Sequence, residues 1–135
     1  GVPDKNDGFT ARMMWREGGL AVQYVYYQDQ AESCGDDFPW MVGRTRAFKG
    51  GEWYSLEHRL VLNDGDQPNG VVQAWFNGEL ALDRKDVRLR AADNIPIDSF
   101  YFSTFFGGST PEWAPPSDEY VDFDDVVVST KPITH

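Results

Sequence analysis

Three consecutive stretches near the start of the chain decide its fold: FTARMMWR at residues 9–16, EGG at 17–19 and LAVQYVYY at 20–27. The two longer stretches read as β-strands, in which successive side chains point to opposite faces. The paired glycines between them can supply a tight turn. We therefore predict that the two strands pair in one antiparallel sheet.

The alternation of side chains places four polar residues on one face of this predicted hairpin. Thr10 and Arg12 share a face of the first strand, and Tyr24 and Tyr26 share a face of the second. An arginine can grip a carboxylate with two parallel hydrogen bonds, and a tyrosine can stack on a sugar ring or transfer a proton. The patch suits an acidic sugar, although threonine, tyrosine and arginine are also ordinary strand residues.

Turn residues recur along the rest of the chain, and long helical periodicity is absent. Strands are predicted at 53–62, 71–76, 79–82, 87–90, 99–106 and 120–128, with a polar loop at 28–39. The Asn77-Gly78 pair is a strong hairpin signal. This pattern predicts an all-β fold, an antiparallel β-sandwich and most simply a jelly roll, as a single domain over residues 1–135.

Composition and charge exclude several classes of function. The net charge is −10, with 22 acidic and 12 basic residues, and a nucleic-acid-binding protein needs a basic surface. No apolar run approaches the ~20 residues of a membrane span. The anion-binding patch is expected in the first half of the chain, because most of the excess negative charge follows residue 60.

The cysteine and histidine content argues against a metal site. Cys34 is the single cysteine, so it forms no disulfide within the chain but can pair with another chain. Neither His58 nor His135 has the spacing of a zinc ligand with Cys34. We predict no metal and no cofactor.

The order of Thr10, Arg12, Tyr24 and Tyr26 resembles the family 14 polysaccharide lyases. These jelly-roll enzymes cleave alginate or other polyuronates, and their pattern is a serine, an arginine two residues later, and then Tyr-x-Tyr. The stretches at 11–16, 34–40, 100–109 and 120–129 are similar to fungal members of the family. The resemblance implies a secreted enzyme of acidic polysaccharides that works by β-elimination.

The resemblance also implies roles for the four residues. Arg12 is expected to neutralise the substrate carboxylate, while Tyr24 or Tyr26 acts as base and acid, with a phenol pKa lowered by nearby cations. Thr10, standing where the family has serine, is expected to bind the sugar. We further predict Gln73, Trp75, Tyr101 and Ser103 as substrate-binding residues on the same concave sheet.

One family residue has no counterpart in this chain. The family enzymes carry a functional lysine upstream of the serine, and Lys5 lies too close to Thr10 to be that residue. We therefore expect an N-terminal companion chain that completes the sandwich, with a disulfide through Cys34 as one means of attachment. Two other functions remain open: a non-catalytic, lectin-like carbohydrate-binding module, and a structural or toxin-like component of a protein complex.

Overall fold

Two three-stranded antiparallel sheets form the regular part of the protein. A computed structural model describes residues 8–108 and 110–133. The first sheet contains β1 (Thr10–Trp15), β2 (Ala21–Tyr26) and β3 (Asp36–Pro39), and the second contains β4 (Leu56–Val61), β5 (Gly70–Phe76) and β6 (Glu79–Val87). Neighbouring strands follow chain order in each sheet. The predicted all-β class and antiparallel sandwich are confirmed.

The core lies between the inward faces of the two sheets. It includes Ala21, Val25 and Phe38 from the first sheet and Val72, Ala74 and Phe76 from the second, all buried. Buried Gln23 also links the sheets, because its Nε2 lies 2.9 Å from Nδ1 of His58. Residues that alternate with this core set therefore point outward, away from the opposite sheet.

The turn between β1 and β2 depends on glycine. Glu17–Gly19 forms a single 3-10 turn, and Gly18 and Gly19 have φ values of 72° and 74°. A side chain on Gly19 would collide with the backbone carbonyl oxygen of Phe48. The N–H of Phe48 donates a hydrogen bond to the carbonyl oxygen of Gly19 at 2.9 Å. The glycine pair thus turns the chain and also lets a second segment pack against the turn.

The structure corrects the predicted loop at 28–39, because its last four residues form β3. This strand pairs with β2 at the edge of the first sheet. The two aspartates and the proline of Asp36–Pro39 are poor strand formers, so the sequence reads as a loop. An edge strand tolerates them because one side of its backbone needs no partner in the sheet.

Other predicted strand bounds also change. The strand predicted at 79–82 extends to Val87 as β6. The separate exposed strand predicted at 87–90 is wrong, because Val87 ends β6, residues 88–90 form no strand, and Leu89 is fully buried. Asn77 and Gly78 form the predicted β5–β6 turn, with φ values of 52° and 76°.

The chain divides into two units, residues 1–96 and 97–135. In the second unit the described residues contain a short 3-10 helix, Pro111–Trp113, and no strand, so the strands predicted at 99–106 and 120–128 are wrong as secondary structure. An alternation of apolar and polar residues gives a β-strand only when the backbone pairs with a neighbouring strand through hydrogen bonds. Within this unit the rings of Phe102 and Phe123 pack edge to face at 4.8 Å.

Across the described part of the chain, no helix has the length and apolar character to cross a membrane.

A tyrosine–carboxylate pair beside β3 makes the folded state less stable at alkaline pH. Tyr27 donates a hydrogen bond to Oδ2 of Asp36 at 2.7 Å and packs against Phe38. Burial, followed by the hydrogen bond and charge of Asp36, raises the pKa of Tyr27 from 10.0 to about 12. Because this pKa is higher in the folded state, the stabilisation is complete below pH 10 and disappears as pH rises toward 12.

We therefore expect Tyr27→Phe to lower the free energy of unfolding by about 1 kcal/mol at neutral pH. The gap between wild type and variant should shrink between pH 10 and 12. Urea unfolding across that range measures it, with Tyr120→Phe as the control because Tyr120 is 88% exposed. A gap that stays constant to pH 12 would show that the ionisation of Tyr27 has no part in it.

Candidate active site

The outer face of the first sheet brings the four predicted residues together. In the β1–β2 register Thr10 lies opposite Tyr26, and Arg12 lies opposite Tyr24. Directly opposed residues of an antiparallel pair share a face. These four residues alternate with residues that pack toward the core, so their face is the outward one. The predicted shared face is confirmed.

Arg12 lies over both tyrosine rings. Its guanidinium carbon is 4.9 Å from the centroid of the Tyr24 ring and 5.3 Å from that of Tyr26. Its Nε is buried, and no hydrogen-bond acceptor in the described residues reaches it. Because a buried donor without a partner costs free energy, an oxygen ligand that reaches Nε would be stabilised there. A carboxylate provides such oxygens in the geometry that a guanidinium prefers.

The two phenol groups are hydrogen-bonded to each other. Their hydroxyl oxygens are 3.2 Å apart, and their rings meet edge to face at 5.3 Å. The backbone N–H of Gly35 donates a second hydrogen bond to the Tyr24 oxygen at 3.0 Å. A substrate beside Arg12 would therefore lie next to a coupled pair of proton-carrying groups.

The expected lowering of the phenol pKa is wrong for Tyr24. Burial, and then the hydrogen bond with Tyr26, raise the pKa of Tyr24 above its ordinary value. The hydrogen bond from Gly35 acts in the opposite direction and does not offset them. Burial has this effect because the charged phenolate loses its hydration, which disfavours the ionised form. Tyr24 thus favours its protonated form.

An ion pair that sequence reasoning missed lies beside Tyr24. Arg16 donates two hydrogen bonds to Asp37, at 2.8 and 2.6 Å, and its guanidinium carbon is 5.0 Å from the centroid of the Tyr24 ring. The hydrogen bond to Asp37 raises the pKa of Arg16. Arg16 follows Arg12 by an even number of residues, so the alternation of side chains predicts that both lie on this face. For Gly35 and Asp37 the signal was the family resemblance of the stretch at 34–40, but the predicted loop there gave no strand to place them on this face.

Gln73 and Trp75 are not part of the patch. Both lie on β5 of the second sheet, where they alternate with the buried residues Val72, Ala74 and Phe76. They point away from the core on the opposite outer face. Gln73 there accepts a hydrogen bond from Arg59 and donates one to Asp83, both at 2.8 Å. The prediction that they share a sheet with Arg12 is wrong, because parity defines a face but not a sheet.

Tyr101 and Ser103 lie in the second unit. Both are exposed, and Tyr101 has 84% of its residue surface accessible. Their predicted contact with substrate stays a prediction. Within residues 8–108 and 110–133, no three side chains of His, Cys, Asp or Glu come together as metal ligands.

Comparison with known proteins gives one match. The sequence matches the family Polysaccharide lyase 14 over residues 1–126. No curated protein and no solved structure matches the chain. Since the family match spans most of the sequence and includes the outer face of β1 and β2, the chain belongs to the polysaccharide lyase 14 family.

Proposed function

We propose that this protein cleaves polyuronate chains by β-elimination at the patch of Thr10, Arg12, Tyr24 and Tyr26. The observation that carries the proposal is the buried Nε of Arg12, which lacks a partner and lies beside two hydrogen-bonded phenols. A β-elimination on a uronate needs a cation for the carboxylate and a group that moves a proton. This patch offers both within one hairpin.

Each residue has a defined part in the proposed reaction. Arg12 binds the uronate carboxylate and neutralises it, which makes the neighbouring C5 proton more acidic. A phenolate of the tyrosine pair accepts that proton, the C4–O4 bond breaks, and a C4=C5 double bond forms. The phenol then returns the proton to the leaving O4 oxygen. Thr10 offers a hydroxyl to the sugar beside Tyr26. The reaction consumes no water.

A second candidate is a protein that binds uronates without cleaving them. The raised pKa of Tyr24 favours this reading, since a neutral phenol donates hydrogen bonds to a sugar but removes no proton at neutral pH. The two candidates predict the same contact at Arg12. They differ only in whether product forms.

The test is incubation of the purified protein with alginate, glucuronan and a neutral glucan, with binding measured in parallel. A lyase gives rising ultraviolet absorbance from the unsaturated uronate, and products that lack the added water of hydrolysis. We expect this with a polyuronate and not with the neutral glucan. Binding to a polyuronate without new absorbance would favour the second candidate. Absence of both would favour a structural or toxin-like role.

A further inference from the structure

Three residues outside β2 converge on Tyr24: Gly35 and Asp37, from the segment around β3, and Arg16, which directly follows β1. Asp37 lies directly opposite Tyr24 in the β2–β3 register and holds Arg16 against the Tyr24 ring. The N–H of Gly35 reaches the Tyr24 hydroxyl. Tyr24 is therefore fixed at its ring and at its oxygen, and both constraints come from residues outside its own hairpin strand.

The contact from Gly35 requires the absence of a side chain. A Cβ at this position would lie 2.7 Å from the Val25 carbonyl oxygen and 3.0 Å from the ring of Tyr26. The first distance is shorter than packing allows, and the obstructing atom is backbone. A larger residue would move the loop outward and lengthen the hydrogen bond to Tyr24.

The hydrogen bond from Gly35 also determines where the Tyr24 proton points. The Tyr24 oxygen accepts the backbone N–H, and among residues 8–108 and 110–133 its other hydrogen-bond partner is the Tyr26 oxygen at 3.2 Å. Tyr24 favours its protonated form. Its own O–H can therefore be donated to Tyr26.

We propose that Gly35 and the Arg16–Asp37 pair are positioning residues that hold Tyr24 as a hydrogen-bond donor to Tyr26, so that Tyr26 is the group that exchanges the proton with substrate. This inference rests on the proposed lyase function. In the reaction, the Tyr26 phenolate accepts the C5 proton and the Tyr26 phenol returns it to O4. Tyr24 keeps its proton throughout and stabilises the phenolate.

Kinetics of four variants tests this assignment. Tyr26→Phe is expected to lower kcat by about 1,000-fold or more, because it removes the proton carrier, whereas Tyr24→Phe should lower kcat about 10- to 100-fold. Asp37→Asn should lower kcat by about 10-fold with little change in KM, and should shift the pH profile of kcat. Asp37→Glu, which can keep the ion pair, should recover part of the loss.

The matched control is Asp86→Asn, which breaks the exposed Arg84–Asp86 ion pair of the second sheet. It should leave kcat and the pH profile unchanged. If Tyr24→Phe is as inactive as Tyr26→Phe, Tyr24 carries the proton itself and the proposal is overturned. It is also overturned if the Asp37→Asn pH profile matches wild type.

A measurement that needs no turnover separates this inference from the lyase function. Carbon NMR of labelled tyrosine rings, assigned with the two phenylalanine variants, follows ionisation of each phenol. We expect Tyr24 to titrate above free tyrosine in wild type. In Asp37→Asn it should titrate at lower pH, because Arg16 beside the Tyr24 ring then lacks its carboxylate partner and keeps an unpaired positive charge. An unshifted Tyr24 titration in Asp37→Asn contradicts the positioning role. Absence of product from wild-type protein contradicts only the lyase proposal.

Discussion

Arg12→Ala is expected to lower kcat/KM on polyuronate by at least about 100-fold, the typical cost of removing one preorganised charge-stabilising group. The physical reason is the loss of the only group of the patch that can neutralise a uronate carboxylate, since Arg16 is already paired with Asp37. The kcat/KM of Arg12→Lys should lie between those of wild type and Arg12→Ala, because lysine keeps the positive charge but lacks the planar guanidinium fork. Steady-state kinetics with the absorbance assay measures all three proteins.

Arg59→Ala is the matched control for this prediction. Arg59 is an exposed strand arginine on the opposite outer face, where it bonds to Gln73. We expect its kcat/KM to equal that of wild type. Thermal unfolding should show that Arg12→Ala remains folded, because the contacts it loses over the tyrosine rings contribute only about 1 kcal/mol. Equal activity of Arg12→Ala and Arg59→Ala would refute the role of Arg12.

The largest expected effect on stability is that of Asn63→Ala. Asn63 is fully buried, and its side chain makes four hydrogen bonds. It donates to the carbonyls of Gly65 and Arg90, at 2.9 and 2.8 Å, and accepts from the N–H groups of Leu89 and Arg90, at 2.9 and 3.0 Å. It thereby joins the loop after β4 to the segment after β6.

Removing this side chain leaves the buried N–H of Leu89 without its partner, so we expect a loss of about 3 kcal/mol in the free energy of unfolding. Urea unfolding measures the loss. Asn69→Ala serves as the control, because Asn69 is exposed and its side-chain bonds reach only Asp64. We expect the control to cost less than about 1 kcal/mol. Equal costs for the two variants would show that Asn63 is not the main link between these segments.

The sequence predicts the β1–β2 hairpin well because three independent signals agree there. Alternation, a pair of glycines and β-favouring residues all fall in residues 9–27. The shared face of Arg12 and Tyr24 follows from parity once the strands pair. Agreement between local signals and the final fold is what makes a segment predictable.

The remaining errors have specific physical causes. β3 lacks alternation and is short, so the contribution of Asp37 to the patch depends on pairing that only the folded chain shows. Trp75 has the expected outward parity but belongs to the other sheet. The raised pKa of Tyr24 depends on burial by neighbours that are distant in sequence. The sugar and the expected companion chain stay predictions.

The central claim is that the outer face of β1 and β2 binds a uronate through Arg12, and side-chain NMR tests it most directly. The ligand is a methyl glycoside of a uronic acid, which has no linkage at O4 to cleave, and the matching neutral glycoside is the control. We predict that the uronate shifts the Nε–H resonance of Arg12 and the ring resonances of Tyr24 and Tyr26, while the neutral sugar does not. Shifts confined to Trp75 and Gln73 on the opposite face would contradict the account.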